Sequence, residues 1–374
     1  MTGLDRAAVW CELEIDADLA TVGIRKKYPA INPKKLSGNT QTYIINSENI
    51  NEIRIKEKYY KTMIKVDFSY SKKDREDNLY PLTSELGKII IEERIIKLIE
   101  EITLEKIERH QLFYEYFEYA IQEEIESFYS YYNIVSCFYR GLTREISNKK
   151  NSNQFNNYDS DLDYFYSTGF IYQVQKGWKI RLYSKTHEHN KKDLEKVNKP
   201  IIRLEHRLNQ SVIKRFLGTN NVEALTLEYI EKKLDGIIGI FLFKILKKEI
   251  KRDIEILLKN FKEFESRKLE SLVRNNQEHI LDEKIIDLVI EKLSKKSDRQ
   301  NRRYKTKINE VLKNCQTRGS PKRDNFGNIK RLEFFIKNIL KIKIKLDISI
   351  KSVDILSFNL NGHNYVRFWG VSKN

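Results

Sequence analysis

Two short segments set a tyrosine, carboxylates and cations where they could act on a phosphodiester. In Lys179-Ile180-Arg181-Leu182-Tyr183-Ser184-Lys185, a period of two puts Ile180 and Leu182 on one side of a strand. Arg181, Tyr183 and Lys185 share the other side. In Ile202-Arg203-Leu204-Glu205-His206-Arg207-Leu208 the same alternation buries Ile202, Leu204 and Leu208 and presents Arg203, Glu205 and Arg207 together. A third run, Ile64 to Tyr70, buries Ile64, Val66, Phe68 and Tyr70 and leaves Lys65, Asp67 and Ser69 in a polar row.

The chemistry of such a face can be specified. A phenol, with a pKa of about 10, is a poor nucleophile at neutral pH unless its phenolate is favoured. Arg181 and Lys185, two residues either side of Tyr183, would favour it. In-line attack at phosphorus also needs charge stabilisation on the non-bridging oxygens. A hard divalent ion held by carboxylates supplies that, so Mg²⁺ or Mn²⁺ is the expected cofactor. Asp67 and Glu205 are the candidate ligands, and His187 or Glu188 completes the shell or moves a proton. Arg203 and Arg207 would hold phosphates by paired hydrogen bonds. Each residue also has an ordinary reading: a packed tyrosine, a solvated strand face at Asp67, a salt bridge at Glu205, exposed loop histidines at His187 and His189.

The elements that must position these residues follow from periodicity. Val9 to Ile15 alternates as a strand, with Val9, Cys11, Leu13 and Ile15 inward, and strand-like runs recur at Thr42 to Asn46, Glu52 to Lys56 and Met63 to Tyr70. Turn residues cluster around Asn32-Pro33 and Ser37-Gly38-Asn39. Thr83 or Ser84 opens a helix whose apolar period is expected to run to about Ile125. Phe128 to Phe138 is dense in tyrosine and fits either a helix or a strand. Asn148 to Asp163 reads as a loop. Beyond Gly218-Thr219-Asn220-Asn221 the pattern is helical almost throughout, with long amphipathic stretches over Val222 to Lys259 and Phe264 to Leu293. A basic cluster from Lys295 to Lys307 follows, then a last helix near Ile329 to Leu340 and an alternating tail around Ile342 to Ile350. The expected fold class is α+β: a central antiparallel sheet with packed helices over residues 1–218, and a mostly helical accessory or DNA-binding region over 219–374.

Composition narrows the partner. Of 374 residues, 69 are basic and 53 acidic, a formal net charge of +16 that favours a polyanion, most often nucleic acid. Richness in Ile, Lys and Asn is also what AT-rich coding produces, and that alone inflates lysine. In the basic cluster, Arg302, Arg303 and Lys305 are candidate contacts to the DNA backbone, without a pattern that would specify bases. No run of about 18 apolar residues exists and the first residues do not resemble a signal peptide, so a soluble chain with no membrane partner is expected. Three scattered cysteines, with no CxxC pair, fit a reducing cytosol and not a disulfide framework. The absence of GxxxxGK[ST] disfavours an ATP-driven helicase.

Taken in order, MIKVDFSYS, RLYSKTHE and IIRLEHRL resemble the motifs of the rolling-circle replication initiators of filamentous phages and related small plasmids. In that group a hydrophobic-x-hydrophobic-Asp strand precedes an aromatic-x-Lys-x-x-Glu element, and an Arg-hydrophobic-Glu strand follows. Asp67, then Tyr183, Lys185 and Glu188, then Arg203, Glu205 and Arg207 match, over roughly residues 60 to 210. The resemblance implies a HUH-like central sheet and a metal-dependent nicking and closing enzyme. Its tyrosine becomes a 5′-phosphotyrosine and frees a 3′-hydroxyl. It further implies origin DNA, single-stranded or supercoiled, as substrate, a host helicase and polymerase as partners, and the cytoplasm of a bacterial host. The chain lacks the His-hydrophobic-His strand of commoner relatives, and its segment before Asp67 is short. Because close plasmid relatives carry a tyrosine upstream of the same strand, Tyr166 and Tyr172 are rivals to Tyr183. The alternative function is a non-catalytic initiator that binds origin repeats.

Overall fold

The computed structural model describes residues 1–36, 39–47, 49–58, 60–71, 79–146, 169–190, 197–261, 269–276, 279–280, 289, 298–315 and 329–342. Among the described residues, nine strands form one antiparallel sheet. They are β1 (Thr2–Leu13), β2 (Lys34–Leu36), β3 (Thr40–Ser47), β4 (Ile50–Lys58), β5 (Lys61–Ser69), β6 (Phe113–Glu124), β7 (Gly169–Gln175), β8 (Trp178–Ser184) and β9 (Ile201–Asn209). Their order across the sheet is β2-β3-β4-β5-β1-β6-β9-β8-β7. Neighbours in sequence pair at both ends of the sheet. β1 and β6, far apart in sequence, lie side by side at its centre.

Alternation gives the sheet two unlike faces. Ile53, Val66, Val9, Phe117, Leu208, Leu204, Ile180 and Leu182 line one, all essentially inaccessible to solvent. Each such side chain removed from water contributes roughly 1.5–3 kcal/mol. The helices α1 (Ala17–Lys27), α2 (Glu85–Thr103), α3 (Tyr132–Glu145), α5 (Gln210–Leu217), α6 (Leu227–Leu234) and α7 (Ile240–Asn260) pack into that core. The remaining labelled helix of this part, α4 (Lys185–Asn190), follows β8 directly. Phe138 of α3 meets Phe170 of β7 edge-on at 5.9 Å, and Phe241 of α7 meets Trp178 of β8 at 5.4 Å.

Local chemistry sets the helix ends. The Asp16 side chain accepts from the Asp18 N–H at 2.8 Å to cap α1, and Ser84 accepts from Gly87 N–H at 3.2 Å to cap α2. Asn209 caps α5, which Gly218 closes in the left-handed region at φ 80°.

The antiparallel sheet with packed helices agrees with the expected α+β class, and three boundaries differ. The helix expected to reach Ile125 stops at Thr103, with Leu104 left-handed at φ 63°, and residues 113–124 are a central strand. β8 ends at Ser184, so Lys185 does not continue it but opens α4. The tyrosine-dense stretch resolves into a 3₁₀ turn, Phe128–Tyr131, followed by α3. The compositional shift at Gly218 marks the end of the sheet, not of the core. Leu234, Leu242 and Leu246 belong to the same buried cluster as the strands, and Tyr119 of β6 donates to Asp235 at 2.7 Å. The expected loop over 148–163 and most of the alternating tail lie outside the described residues. Among the described residues no helix is long and apolar enough to cross a membrane.

Candidate active site

The other face of the sheet carries the charged residues in register. Ser69, Arg6, Glu118, Arg207 and Lys179 form one cross-strand row, from β5 through β1, β6 and β9 to β8. Ala120, Glu205 and Arg181 form the next, and Gln122, Arg203 and Tyr183 the one after. One irregularity matters most. The β1–β6 register shifts between Leu4 and Arg6, which leaves Asp5 as an extra residue in β1. That bulge brings Asp5 to Glu118 and Glu205, so that one carboxylate oxygen of each lies within 4.8 Å of the others.

Cations and hydroxyls hold this trio. The Arg203 guanidinium, fully buried, reaches Asp5 Oδ2 at 3.3 Å and Glu205 Oε1 at 3.4 Å, and donates through Nε to Gln122 at 2.8 Å. It also donates to the Leu79 carbonyl. Ser71 Oγ donates to Asp5 Oδ1 at 2.6 Å. Arg207 donates to Glu118 at 3.1 Å, and Arg181 approaches Glu205 Oε2 at 3.8 Å. Burial, reinforced by Glu205, pushes the Glu118 carboxyl up to about 7, and burial with the neighbouring Asp5 raises Glu205 as well. Like charges crowded in a buried place produce such shifts, and a cation would relieve them. Three hard oxygen donors suit Mg²⁺ or Mn²⁺ by type.

Tyr183 stands at the edge of the trio, 6% exposed, its hydroxyl donating to Glu205 Oε1 at 2.5 Å. Arg181 lies over its ring at 4.2 Å and Lys185 at 5.9 Å, so the cations flanking it in sequence do gather around it. They do not lower its pKa as expected from sequence. Burial first, and then the Glu205 charge, hold the phenol well above its usual value. Lys185 donates to Glu188 at 2.7 Å and Arg181 donates to the same carboxylate at 3.0 Å. Burial, then Arg203, lowers the Lys185 pKa. Gly169 makes room for this arrangement: a Cβ there would stand 2.3 Å from the Leu182 carbonyl oxygen and 2.6 Å from Tyr183 Cα.

The other residues singled out from sequence fall as follows. Asp67, buried on the same face, is not one of the trio. It accepts from Arg6 Nε at 2.8 Å, Asn51 Nδ2 at 3.0 Å and the Tyr116 hydroxyl. His187 lies on α4, its backbone N–H donating to Ser184 Oγ at 3.3 Å, and it too is outside the trio. Arg181 and Arg207 remain partly open to solvent, whereas Arg203 is enclosed among its partners. Arg302 and Arg303 are exposed on a separate helix, α8 (Asp298–Cys315), with Lys305 half-buried beside them. Tyr172 points into the apolar face, fully buried, and donates to the Ile146 carbonyl at 2.7 Å. Tyr166 lies outside the described residues. His206, although within a site motif, faces the core beside Trp178, and desolvation pushes its pKa down to about 3. Asp5 and Glu118 were not foreseen. No protein-family model matches this chain, and no curated protein matches it either.

Proposed function

We propose that the protein is a rolling-circle replication initiator of a phage or small plasmid. In this reading it is a metal-dependent nickase and ligase with a HUH-like sheet, acting on origin DNA in the cytoplasm of a bacterial host. The observation that carries the reading is the buried trio Asp5, Glu118 and Glu205 with a tyrosine hydroxyl donating to one of its members.

A divalent cation on the trio would neutralise charge on the non-bridging oxygens of the scissile phosphate. The chain's own residues do the rest. Tyr183 Oη forms a bond to phosphorus while the bond from phosphorus to the 3′ oxygen breaks. The phenolic proton passes to Glu205 along the existing hydrogen bond. Arg181, stacked on the ring, offsets the developing phenolate charge. Lys185, held by Glu188 and with its charge disfavoured by burial, gives the departing 3′ oxygen its proton. Religation runs the same steps backwards. Arg207, with Arg302, Arg303 and Lys305 of α8, contributes contacts to the DNA backbone.

One observation favours a second reading, a non-catalytic origin-binding initiator: Tyr183 is nearly enclosed and its phenol is held protonated. A covalent-adduct assay separates the two. Protein is mixed with supercoiled DNA of its own replicon and Mg²⁺ or Mn²⁺ and run under denaturing conditions. An EDTA-sensitive protein–DNA band, mapped to Tyr183 and lost in Tyr183→Phe with DNA binding retained, is the expected result. Tight origin binding without an adduct would establish the second reading.

A further inference from the structure

The polar face extends well beyond the carboxylate trio, and its far part contains a feature the reaction does not use. Trp10 of β1 and Phe113 of β6 are directly paired in the ladder, and their rings stack at 5.1 Å with 29° between planes. Alternation places both on the charged side of the sheet, because their neighbours Val9 and Tyr114 face the core. Both are half-buried, and neither is part of the hydrophobic core formed by the described residues. A third ring, Tyr116, lies one step closer to the trio, opposite Ala8, but it is buried and its hydroxyl donates to Asp67, so it supports the face without opening onto it. Arg207, the residue that holds Glu118, covers it at 3.8 Å, and Lys65 approaches it at 5.9 Å.

We propose that Trp10 and Phe113 form a stacking platform for the bases of unpaired DNA on the same face as the trio. Proteins that hold single strands without sequence preference combine aromatic faces for the bases with cations for the phosphates. Here Lys65 pairs with Trp10 across the ladder and Arg54 pairs with Lys65. Arg6 and Arg54 are 40% and 38% exposed at their side chains, each beside one carboxylate, Asp67 and Glu52. Their exposed guanidinium surface can meet phosphates. In duplex DNA the base faces are covered by their neighbours, so an aromatic ring can take up only unpaired bases.

The spacing fits a continuous track. Trp10 lies four residues along β1 from Arg6, the partner of Glu118, which is about 13 Å at roughly 3.3 Å per residue. A stacked strand advancing about 3.4 Å per nucleotide covers this in about four nucleotides. This inference rests on the reading of the polar face as the DNA-bearing face, and it names the strand state that face accepts.

Binding of a labelled oligothymidylate of about 12 nucleotides to the full chain, in EDTA, tests it without requiring metal or nicking. Trp10→Leu and Phe113→Leu should each weaken binding about 5- to 100-fold, while Trp10→Phe, which keeps an aromatic face, retains most of it. An oligomer of the same length with abasic sites should bind the wild-type protein as weakly as the intact oligomer binds Trp10→Leu. Equal binding of abasic and intact oligomers would overturn the proposal, and that comparison uses only wild-type protein, so misfolding of a variant cannot blur it. So would Trp10→Leu binding as tightly as wild type. Base-dependent binding with no covalent adduct would leave the platform standing and remove the nickase reading. An adduct with base-independent binding would do the reverse.

Discussion

The sheet buries carboxylates on both of its faces, and the two faces treat them differently. Under the helices, Glu92 is a single carboxylate surrounded by donors. The Tyr70 and Tyr114 hydroxyls each donate at 2.8 Å, Lys88 lies at 2.9 Å, and Arg109 donates through Nε at 2.9 Å. On the polar face, Asp5, Glu118 and Glu205 share their nearest cations and crowd one another. Glu92 is a satisfied structural charge. The trio is a concentration of negative charge retained against its own repulsion. A fold gains nothing in stability from that, so the trio, and not Glu92, is the place to look for a ligand.

Neutralising one member of each cluster should break the comparison most sharply. Glu205→Gln keeps the side-chain shape but removes the base for Tyr183 and one ligand oxygen. Nicking should fall by about 10²–10⁴-fold, read as adduct formed per unit time. Its stability to urea should hold or rise, because Arg203 keeps Asp5 and the repulsion is relieved. A large loss of stability with unchanged nicking would reduce the trio to a structural cluster like that of Glu92.

Glu92→Gln should behave in the opposite way. It leaves Lys88, with no solvent exposure, and the partly buried Arg109 with only the more distant Glu85, at 3.8 and 3.9 Å. Breaking a buried ion pair from one side costs about 3–5 kcal/mol, which the urea midpoint at an unchanged slope would report. Per molecule still folded, nicking and oligonucleotide binding should match wild type. A loss of either would mean that the helical layer and the polar face are coupled.

Sequence shows the polar face better than the site it supports. The polar rows of β5, β8 and β9 are legible because those strands keep a strict period of two, so Asp67, Arg181, Tyr183, Arg203 and Glu205 could be placed on one face without coordinates. Asp5 and Glu118 could not, and the reason is the same for both. The β1–β6 ladder contains two register shifts, one leaving Asp5 and the other Glu115 as an extra residue. The second puts an interval of three between the core-facing Tyr114 and Phe117, which breaks the strand period before Tyr119 and Ile121 resume it. A run such as Phe-Tyr-Glu-Tyr-Phe-Glu-Tyr still carries strand propensity in its aromatic residues, and that was the available signal. Asp5 gave only a weaker one, an acidic residue among small and apolar neighbours. Its proximity to Glu205, 200 positions away, is a property of strand order, which no local pattern encodes.

The pH dependence of Glu118 gives the finest discrimination between the two clusters. Its folded carboxyl titrates near 7, against 4.5 for an unperturbed glutamate. Between those values the folded state binds more protons than the unfolded chain. Stability in metal-free buffer therefore falls as pH rises from about 4.5, and levels off above about 7. The 2.5-unit difference corresponds to on the order of 3 kcal/mol at most, for a side chain that is 17% exposed. Glu118→Gln should flatten the part of this slope nearest pH 7, leaving what the raised Glu205 and Asp235 carboxyls contribute, whereas Glu92→Gln should leave the whole slope in place on a less stable protein. A cation that binds the ionised trio must show the opposite trend, with affinity rising as pH passes 7. Adding Mn²⁺ should then restore above pH 7 the stability that ionisation removes, and do so in wild type more than in Glu118→Gln. If Mn²⁺ stabilises both proteins equally at every pH, the ion binds elsewhere and the trio is not its site.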